Sequence, residues 1–208
     1  MRIANSNGRA VIVLGDVIAD VAEISGASSP PSDDSEPGLA AFAEFASTVS
    51  SGTGPLVETA LRNPVPTPRQ VFAIGINYRS HAEEAGMAVP DVPSTFTKFP
   101  ASLAGPFDDI EIAGDAIDRE VELVAVIGTL ADRVAEADAW RHVAGLTVGR
   151  DISDRQLQFA AGGQFSLGKS RRGYGPIGPW VVSADELSDH DDLALGCSVD
   201  LDAARSAS

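Results

Sequence analysis

Three acidic residues in this sequence have the type and spacing needed to bind a metal ion. Glu120 and Glu122 lie in IDREVELVAVIG, which otherwise has the Val and Ile content of a buried strand. Side chains alternate along a strand, so both glutamates point to one face. Asp151 follows a second apolar run, and three carboxylates supply the oxygen ligands that hard divalent cations prefer. A cation would also offset the repulsion between two adjacent carboxylates.

The residues alone leave two other interpretations of this glutamate pair open. An E-x-E at the start of a strand is common at a solvated sheet edge, where no metal is needed. Alternatively, Arg119 or Arg150 could neutralise the pair through ordinary salt bridges.

A second candidate site lies in GINYRSHAEEAG, residues 75–86. If a helix begins near Ser80, His81 and Glu84 lie at positions i and i+3 on one helix face. The carboxylate could then orient and polarise the imidazole, giving a general base able to activate a water molecule. An exposed histidine on a surface helix is the alternative interpretation.

Two lysines lie among glycine, proline and small residues, where the backbone can approach a ligand closely. Lys98 is in FTKFPASLAGP and Lys169 is in GKSRRGYGPIGPW. A surface lysine beside a turn would explain either one. Arg171 and Arg172 add charge to the second stretch, either in a solvated loop or toward a more anionic substrate. The spacing of a phosphate-binding loop is lacking, so nucleotide binding has little support.

The composition argues against several classes of partner. The 208 residues include 30 Asp and Glu but 15 Lys and Arg, and the formal net charge of -15 repels nucleic acid and anionic membrane surfaces. No segment approaches the roughly 18 apolar residues that a membrane span requires. The single cysteine, Cys197, indicates a reducing compartment, and its apolar neighbours predict a buried packing residue. We therefore expect a cytoplasmic protein that binds neither nucleic acid nor membrane.

Short strands must position these residues, with few helices between them. Residues 1–25 alternate apolar runs with turn residues and predict a small hairpin-type sheet, and residues 25–37 predict a loop. LAAFAEFASTVSS and EADAWRHVAG have helical patterns. The stretches that predict strands are VFAIGIN, VELVAVIG, LTVGRDI, GPWVV and LALGCSVDL. The pattern predicts a mixed α+β fold weighted toward β.

Five stretches, in this order, resemble segments of the fumarylacetoacetate hydrolase family. GINYRSHAEEAG resembles G-x-N-Y-x-x-H-x-x-E, and FTKFPASLAGP resembles F-x-K-x-x-x-S-x-x-G-P. DREVELVAVIG is similar to D-x-E-x-E-L-x-x-V-I-G, and VAGLTVGRDISDRQLQ is similar to V-x-G-[YL]-T-x-x-x-D-[VI]-[ST]-x-R-x-x-Q. GKSRRGYGPIGPW resembles a loop with K-S that ends in P-x-G-P-W. Because the five motifs keep the family order over roughly residues 70–182, the resemblance is specific.

The resemblance implies a role for each candidate residue. A divalent cation, Mg²⁺ or Mn²⁺, would be held by Glu120, Glu122 and Asp151. His81 and Glu84 would activate water. Lys169 would stabilise developing oxyanion charge. The residues expected to bind substrate or support the geometry of the site are Tyr78, Lys98, Arg155 and Gln158.

The resemblance also implies a fold and a division of the chain. We expect a β-rich mixed sheet, rolled or barrel-like, with short helices and a small accessory domain over residues 1–66. Residues 67–208 would form the catalytic domain. Its carboxy-terminal part is expected to be incomplete, because the family's Thr-Gly-Thr-Pro motif is absent from the sequence. A homodimer is common in the family and is expected here.

The activity implied is metal-dependent hydrolysis of C–C bonds in acylpyruvate-like compounds or other 1,3-dicarbonyl and 2-oxo acid compounds. A 2-oxo acid decarboxylase of the oxaloacetate type, or an isomerase, would use the same metal site, and the sequence does not separate them. A third alternative is a catalytically inactive remnant that binds metal or a partner.

Overall fold

The computed structural model describes residues 1–26, 36–84, 86–160 and 162–198, and of residues 36–41, 80, 81 and 84 it describes the backbone alone. The strands in these ranges are β1 (Arg2–Ser6), β2 (Arg9–Leu14), β3 (Val17–Asp20), β4 (Gly54–Pro55), β5 (Leu61–Arg62), β6 (Val71–Gly75), β7 (Ser94–Lys98), β8 (Leu103–Ala104), β9 (Ile117–Ile127), β10 (Val143–Asp154) and β11 (Gly175–Ser183). The α-helices are α1 (Val21–Ser25), α2 (Glu36–Thr48), α3 (Arg79–Glu84) and α4 (Arg155–Ala160). Short 3₁₀ helices span Glu58–Ala60, Pro100–Ser102, Glu136–His142 and Ala184–Glu186.

Most of the strands belong to one mixed sheet. Its order is β4-β3-β2-β1-β11-β10-β9, with β5 paired to β1 and β8 paired to β11. The β8–β11 pairing is parallel, and the other pairings are antiparallel. A separate hairpin joins β6 to β7. Within the described ranges the sheet does not close into a barrel, and the prediction of a β-rich fold with few short helices is confirmed.

The amino-terminal strands form a core of their own and also continue the main sheet. Phe42 and Ala46 of α2 pack against Ile12, Ala19 and Val21, which confirms the predicted helix. The sheet runs across the predicted boundary at residue 66, because β1 pairs with β11. The division into two domains stays a prediction.

Pairing between β9 and β10 sets the geometry of the acidic residues. In the antiparallel register, Glu120 lies opposite Asp151 and Glu122 lies opposite Gly149. Directly opposed residues project to the same face of a sheet, so the three carboxylates share one face. Gly149 is required by close packing, because a Cβ there would lie 2.7 Å from a methyl carbon of Val124.

Several strand predictions need correction. Residues 193–198 have no regular secondary structure, and Cys197 is exposed, so the predicted strand and the buried cysteine are wrong in the part that the structure describes. No described strand pairs with this stretch, and strand hydrogen bonds require a partner. The stretch VFAIGIN does form a strand, β6, although its apolar pattern favours a buried strand and Phe72 and Ile74 are exposed; among the described strands, β6 pairs with β7.

Other parts of the chain add little to the fold. The predicted loop at residues 25–37 falls mainly on positions outside the described ranges, as does the end of the stretch LALGCSVDL. In the stretch EADAWRHVAG, Glu136–His142 forms a 3₁₀ helix, a tighter form of the predicted helix, and Val143 begins β10. None of the helices among the described residues is long and apolar enough to cross a membrane.

Replacing Leu61 by Ala tests the packing of the core that the amino-terminal strands form. Leu61 is 1% exposed and packs with Ala4, Val11 and Val13. We expect Leu61→Ala to lower the free energy of unfolding by about 2–5 kcal/mol, measured by urea denaturation followed by circular dichroism. The matched control is Leu130→Ala, since Leu130 is 75% exposed and its loss should cost about 0.5 kcal/mol or less. Equal effects of the two variants would contradict this packing.

Candidate metal centre

The three predicted ligands form one cluster. Single carboxylate oxygens of Glu120, Glu122 and Asp151 all lie within 4.8 Å of one another. Asp151 is buried, whereas the two glutamates are half-buried. The cluster lines an open cleft of about 1870 Å³, so a small molecule can reach it. This spacing allows one ion to contact all three side chains.

Two buried lysines offset part of the negative charge. Lys98 Nζ donates to Asp151 Oδ1 at 2.6 Å and also donates to the backbone carbonyl of Lys169. Lys169 Nζ donates to Glu120 Oε2 at 3.1 Å and to Asp151 Oδ2. Both lysines are less than a tenth exposed. Burial lowers the pKa of Lys98, although its contact with Asp151 opposes that shift. Neither lysine is the surface residue that the alternative interpretation describes.

Arg155 neutralises the cluster from the other side. Its guanidinium donates to Glu120 and to Asp118 Oδ2, the latter at 2.6 Å, and Nη1 donates to Gln158 Oε1 at 3.0 Å. Burial alone would raise the pKa of Glu120, but Lys169 and Arg155 hold it below its ordinary value. Burial likewise opposes the effect of Arg155 on Asp118, whose pKa is also lowered. Arg155 therefore fixes the position of Glu120 while keeping it ionised.

Glu122 differs from the other two carboxylates. Among the residues that the structure describes, none forms a hydrogen bond or an ion pair with it, whereas Glu120 and Asp151 are paired with cations. Burial, and then the nearby charges of Glu120 and Asp151, raise the pKa of Glu122 from 4.5 to about 7. A half-buried carboxylate without a partner lacks the cation that would stabilise its charged form.

Neither arginine named in the salt-bridge interpretation pairs with the glutamates in the described part of the chain. Residue alternation puts Arg119 on the opposite face of β9 from Glu120. Arg150 lies opposite Val121 in the register, which puts it on that same far face. The cations that reach the cluster come instead from β7, α4 and the loop before β11.

The loop that carries Lys169 is held against the start of α4. A Cβ at Gly168 would lie 2.5 Å from the backbone nitrogen of Gln158, so only glycine allows this approach. Asp154 N donates to Gly168 O at 2.8 Å, and Arg171 Nη2 donates to Asp154 Oδ2 at 2.9 Å. Arg171 is thus engaged in fixing the loop. No local pattern in the sequence predicts this pairing, because it joins residues 17 positions apart.

The remaining candidates occupy different positions relative to the cluster. Tyr78 and Gln158 both line the cleft, Tyr78 as an exposed residue and Gln158 as a buried one. Helix α3 forms where the sequence predicts it and contains His81 and Glu84, whose side chains lie outside the described part of the structure. The proposed pairing of His81 with Glu84 stays a prediction. Asp118 was missed, although it is the aspartate of the matched strand motif.

The donor set fits a hard divalent cation. Carboxylate oxygens are the ligands that Mg²⁺ and Mn²⁺ prefer, and each oxygen that accepts from a lysine retains a further lone pair. Glu122 points to the same conclusion, because a cation would supply the positive countercharge that none of the described residues provides by direct contact. The two lysines and Arg155 limit the net negative charge of the site.

Comparison with known proteins identifies the family. The family model described as "Fumarylacetoacetate (FAA) hydrolase C-terminal" matches residues 70–208. The chain belongs to the fumarylacetoacetate hydrolase family. A relative in Burkholderia ambifaria, named "Putative hydrolase", is 47% identical over 131 residues, which are 62% of this chain and 46% of the relative. The chain thus spans about half the length of the curated relatives it matches.

Solved structures of the fumarylacetoacetate hydrolase fold agree with this assignment. A Mycobacterium smegmatis structure, described as a "putative HpcE protein", has a TM-score of 0.81 and 41% identity over 91% of this chain and 68% of that one. A probable 2-hydroxyhepta-2,4-diene-1,7-dioate isomerase from Mycobacterium abscessus has a TM-score of 0.69 and 29% identity. The match covers 88% of this chain and 63% of that one. A maleylpyruvate hydrolase from Sphingobium sp. SYK-6, in complex with manganese(II) and pyruvate, has a TM-score of 0.67 and 25% identity. The match covers 91% of this chain and 69% of that one.

The raised pKa of Glu122 makes the stability of the metal-free protein depend on pH. Between pH 4.5 and about 7 the folded state binds more protons at Glu122 than the unfolded state does. The contribution of Glu122 to the free energy of unfolding therefore falls as pH rises through this window. In the presence of a chelator, we expect Glu122→Gln to raise the free energy of unfolding relative to the parent more at pH 8 than at pH 5. The difference between the two pH values should be on the order of 1 kcal/mol after solvent screening.

Urea denaturation at both pH values, in the presence of a chelator, measures this difference. The exposed Glu58 provides the control variant Glu58→Gln, which should show no such pH dependence. If the free energies of unfolding of Glu122→Gln and the parent differ by the same amount at both pH values, the raised pKa of Glu122 is contradicted.

Proposed function

We propose that this chain is a divalent-metal-dependent hydrolase that cleaves a C–C bond in acylpyruvate-like or related 1,3-dicarbonyl compounds. The observation that carries the proposal is the half-buried Glu122, which has no hydrogen-bond or ion-pair partner among the described residues, beside Glu120 and Asp151 at an open cleft. The maleylpyruvate hydrolase with manganese(II) and pyruvate supports both the metal and a 2-oxo acid product. Membership of the family supports hydrolysis.

The chain's own residues would divide the work of hydrolysis. When bound, the divalent cation would act as a Lewis acid that polarises the carbonyl oxygens of a dicarbonyl. His81, with Glu84 to orient it, would take the proton from the attacking water. Lys169 Nζ already contacts Glu120 and Asp151 and would donate to the oxygen on which negative charge develops.

Lys98 and Arg155 would act as supports for this arrangement. Both side chains are engaged with the carboxylates, Lys98 with Asp151 and Arg155 with Glu120. Their contribution is to fix the carboxylate rotamers and to lower the net charge before a cation binds. Tyr78 and Gln158 line the cleft and are the proposed substrate contacts.

Isomerisation is the second candidate function, and the Mycobacterium abscessus isomerase supports it. Decarboxylation of an oxaloacetate-type acid would need the same cluster. These reactions share the binding of a 2-oxo acid and differ in which bond changes. A panel of acylpyruvates, oxaloacetate and an unsaturated 2-hydroxy acid, with product identification by NMR, separates the three.

We also propose a homodimer. Leu123 and Ile127 of β9 and Val148 of β10 lie on the face opposite the carboxylates, and all three are exposed. Val148 lies directly opposite Leu123 in the register, so the two residues form part of one apolar surface. A second copy packed on this face would remove it from water.

Metal dependence is the direct test of the proposed function. We expect chelation with EDTA to abolish hydrolysis of acylpyruvates and Mn²⁺ or Mg²⁺ to restore it. Glu122→Ala should reduce kcat/KM by about 100-fold or more, since it removes one of three ligands. Glu58→Gln should retain parental activity. Activity that survives chelation, or a fully active Glu122→Ala variant, would overturn the proposal.

The role of His81 has a separate test. We expect His81→Ala to lower kcat by about 10²–10⁴-fold while the affinity for Mn²⁺, from a thermal-shift titration, stays within about twofold. His142→Ala is the control, because His142 contacts Thr129 rather than the cluster. An unchanged kcat in His81→Ala would contradict a role as base, and a lost Mn²⁺ shift would indicate a ligand instead.

A further inference from the structure

Three phenylalanine rings form a continuous surface beside the carboxylate cluster. Phe96 and Phe165 have ring centroids 5.8 Å apart, and Phe165 and Phe159 have centroids 5.6 Å apart, both in edge-to-face arrangements. The rings come from β7, from the loop that carries Lys169, and from α4. We call Phe96, Phe165 and Phe159 the phenylalanine wall.

The phenylalanine wall begins at the proposed reacting centre. Lys169 Nζ lies 5.1 Å from the centroid of the Phe96 ring, while the same nitrogen contacts Glu120 and Asp151. Phe96 and Lys98 are two residues apart on β7, so their side chains share a face. All three rings line the same cleft as the carboxylates. A substrate held at the cluster would therefore reach the wall.

The wall is open to the cleft. Phe159 is 61% exposed, and Phe96 and Phe165 are half-buried. A single exposed ring is ordinary on a protein surface. Three rings in contact, continuous with a cluster of buried charges, offer an apolar surface that favours another planar apolar group by offset or edge-to-face packing.

The charges next to the wall do not favour a second acidic group on the substrate. Among the described residues, the cations that contact the carboxylate cluster are Lys98, Lys169 and Arg155. Each is already paired: Lys98 with Asp151, Lys169 with Asp151 and Glu120, and Arg155 with Glu120 and Asp118. A carboxylate packed against the rings would lose its hydration, and none of these three cations is free to pair with it.

We propose that the phenylalanine wall binds an aromatic acyl end of the substrate, so that the preferred substrates are aroylpyruvates. This inference rests on the proposed function, because it takes the dicarbonyl part to lie at the cluster. Hydrolysis adds one water across the bond between the acyl carbon and the methylene carbon. The hydroxyl goes to the acyl carbon and the proton to the methylene carbon, and the products are an aromatic acid and pyruvate.

Kinetics of matched substrates test the proposal on the full chain loaded with Mn²⁺. The substrates are benzoylpyruvate, acetylpyruvate and fumarylpyruvate, which end in a ring, a methyl group and a carboxylate. We expect kcat/KM for benzoylpyruvate to exceed that for the other two by about tenfold or more. Phe159→Ala should lower kcat/KM about tenfold for benzoylpyruvate and less than threefold for acetylpyruvate.

Phe107→Ala is the matched control, because Phe107 is exposed but is not among the residues that line the cleft. It should leave the preference for benzoylpyruvate unchanged. Equal losses on benzoylpyruvate and acetylpyruvate in Phe159→Ala would overturn the proposal, as would fumarylpyruvate being the best substrate.

A binding experiment separates failure of the wall from failure of the proposed function. If none of the acylpyruvates is hydrolysed, the proposed function fails, and calorimetry with phenylpyruvate and pyruvate still tests the wall. Phenylpyruvate should bind the Mn²⁺-loaded chain about tenfold more tightly than pyruvate does, and Phe159→Ala should remove that difference. Equal affinities for the two compounds in the parent protein would overturn the proposal.

Discussion

Repulsion among three carboxylates is the constraint on which the rest of the site depends. The β9–β10 register brings Glu120, Glu122 and Asp151 within 4.8 Å of one another, in a region that is half-buried or buried. Lys98, Lys169 and Arg155 relieve part of this repulsion by pairing with Glu120 and Asp151. The pKa of Glu122 remains raised to about 7. Its ionised form therefore carries negative charge that is only partly offset, and a divalent cation would neutralise it.

Relieving the repulsion requires segments that are distant in sequence to meet at one point. Lys98 ends β7, Arg155 begins α4, and Lys169 lies in a loop that Gly168 and the Asp154–Arg171 pair hold against α4. The same loop carries Phe165 toward Phe96 and Phe159. Electrostatic support of the cluster and formation of the apolar wall are therefore produced by one packing arrangement, and a change in the loop would affect both.

The sequence predicted those features that depend on local pattern. Alternation along a strand was enough to put Glu120 and Glu122 on one face, and helical spacing was enough for α2. The sequence pattern could not predict that Arg155 pairs with Glu120 in place of Arg119 or Arg150. This pairing depends on how α4 follows β10. Cys197 was predicted to be buried from its apolar neighbours, but burial needs a packing partner, and its segment pairs with no described strand. The phenylalanine wall joins residues from three elements and leaves no periodic signal.

The metal centre is tested most directly by an anomalous difference map from crystals of the full chain grown with Mn²⁺, with data collected on both sides of the manganese absorption edge. We expect one dominant peak in contact with carboxylate oxygens of Glu120, Glu122 and Asp151, with Glu122 as a direct ligand. A peak elsewhere, or manganese bound without Glu122, would contradict the assignment of this cluster as the metal centre.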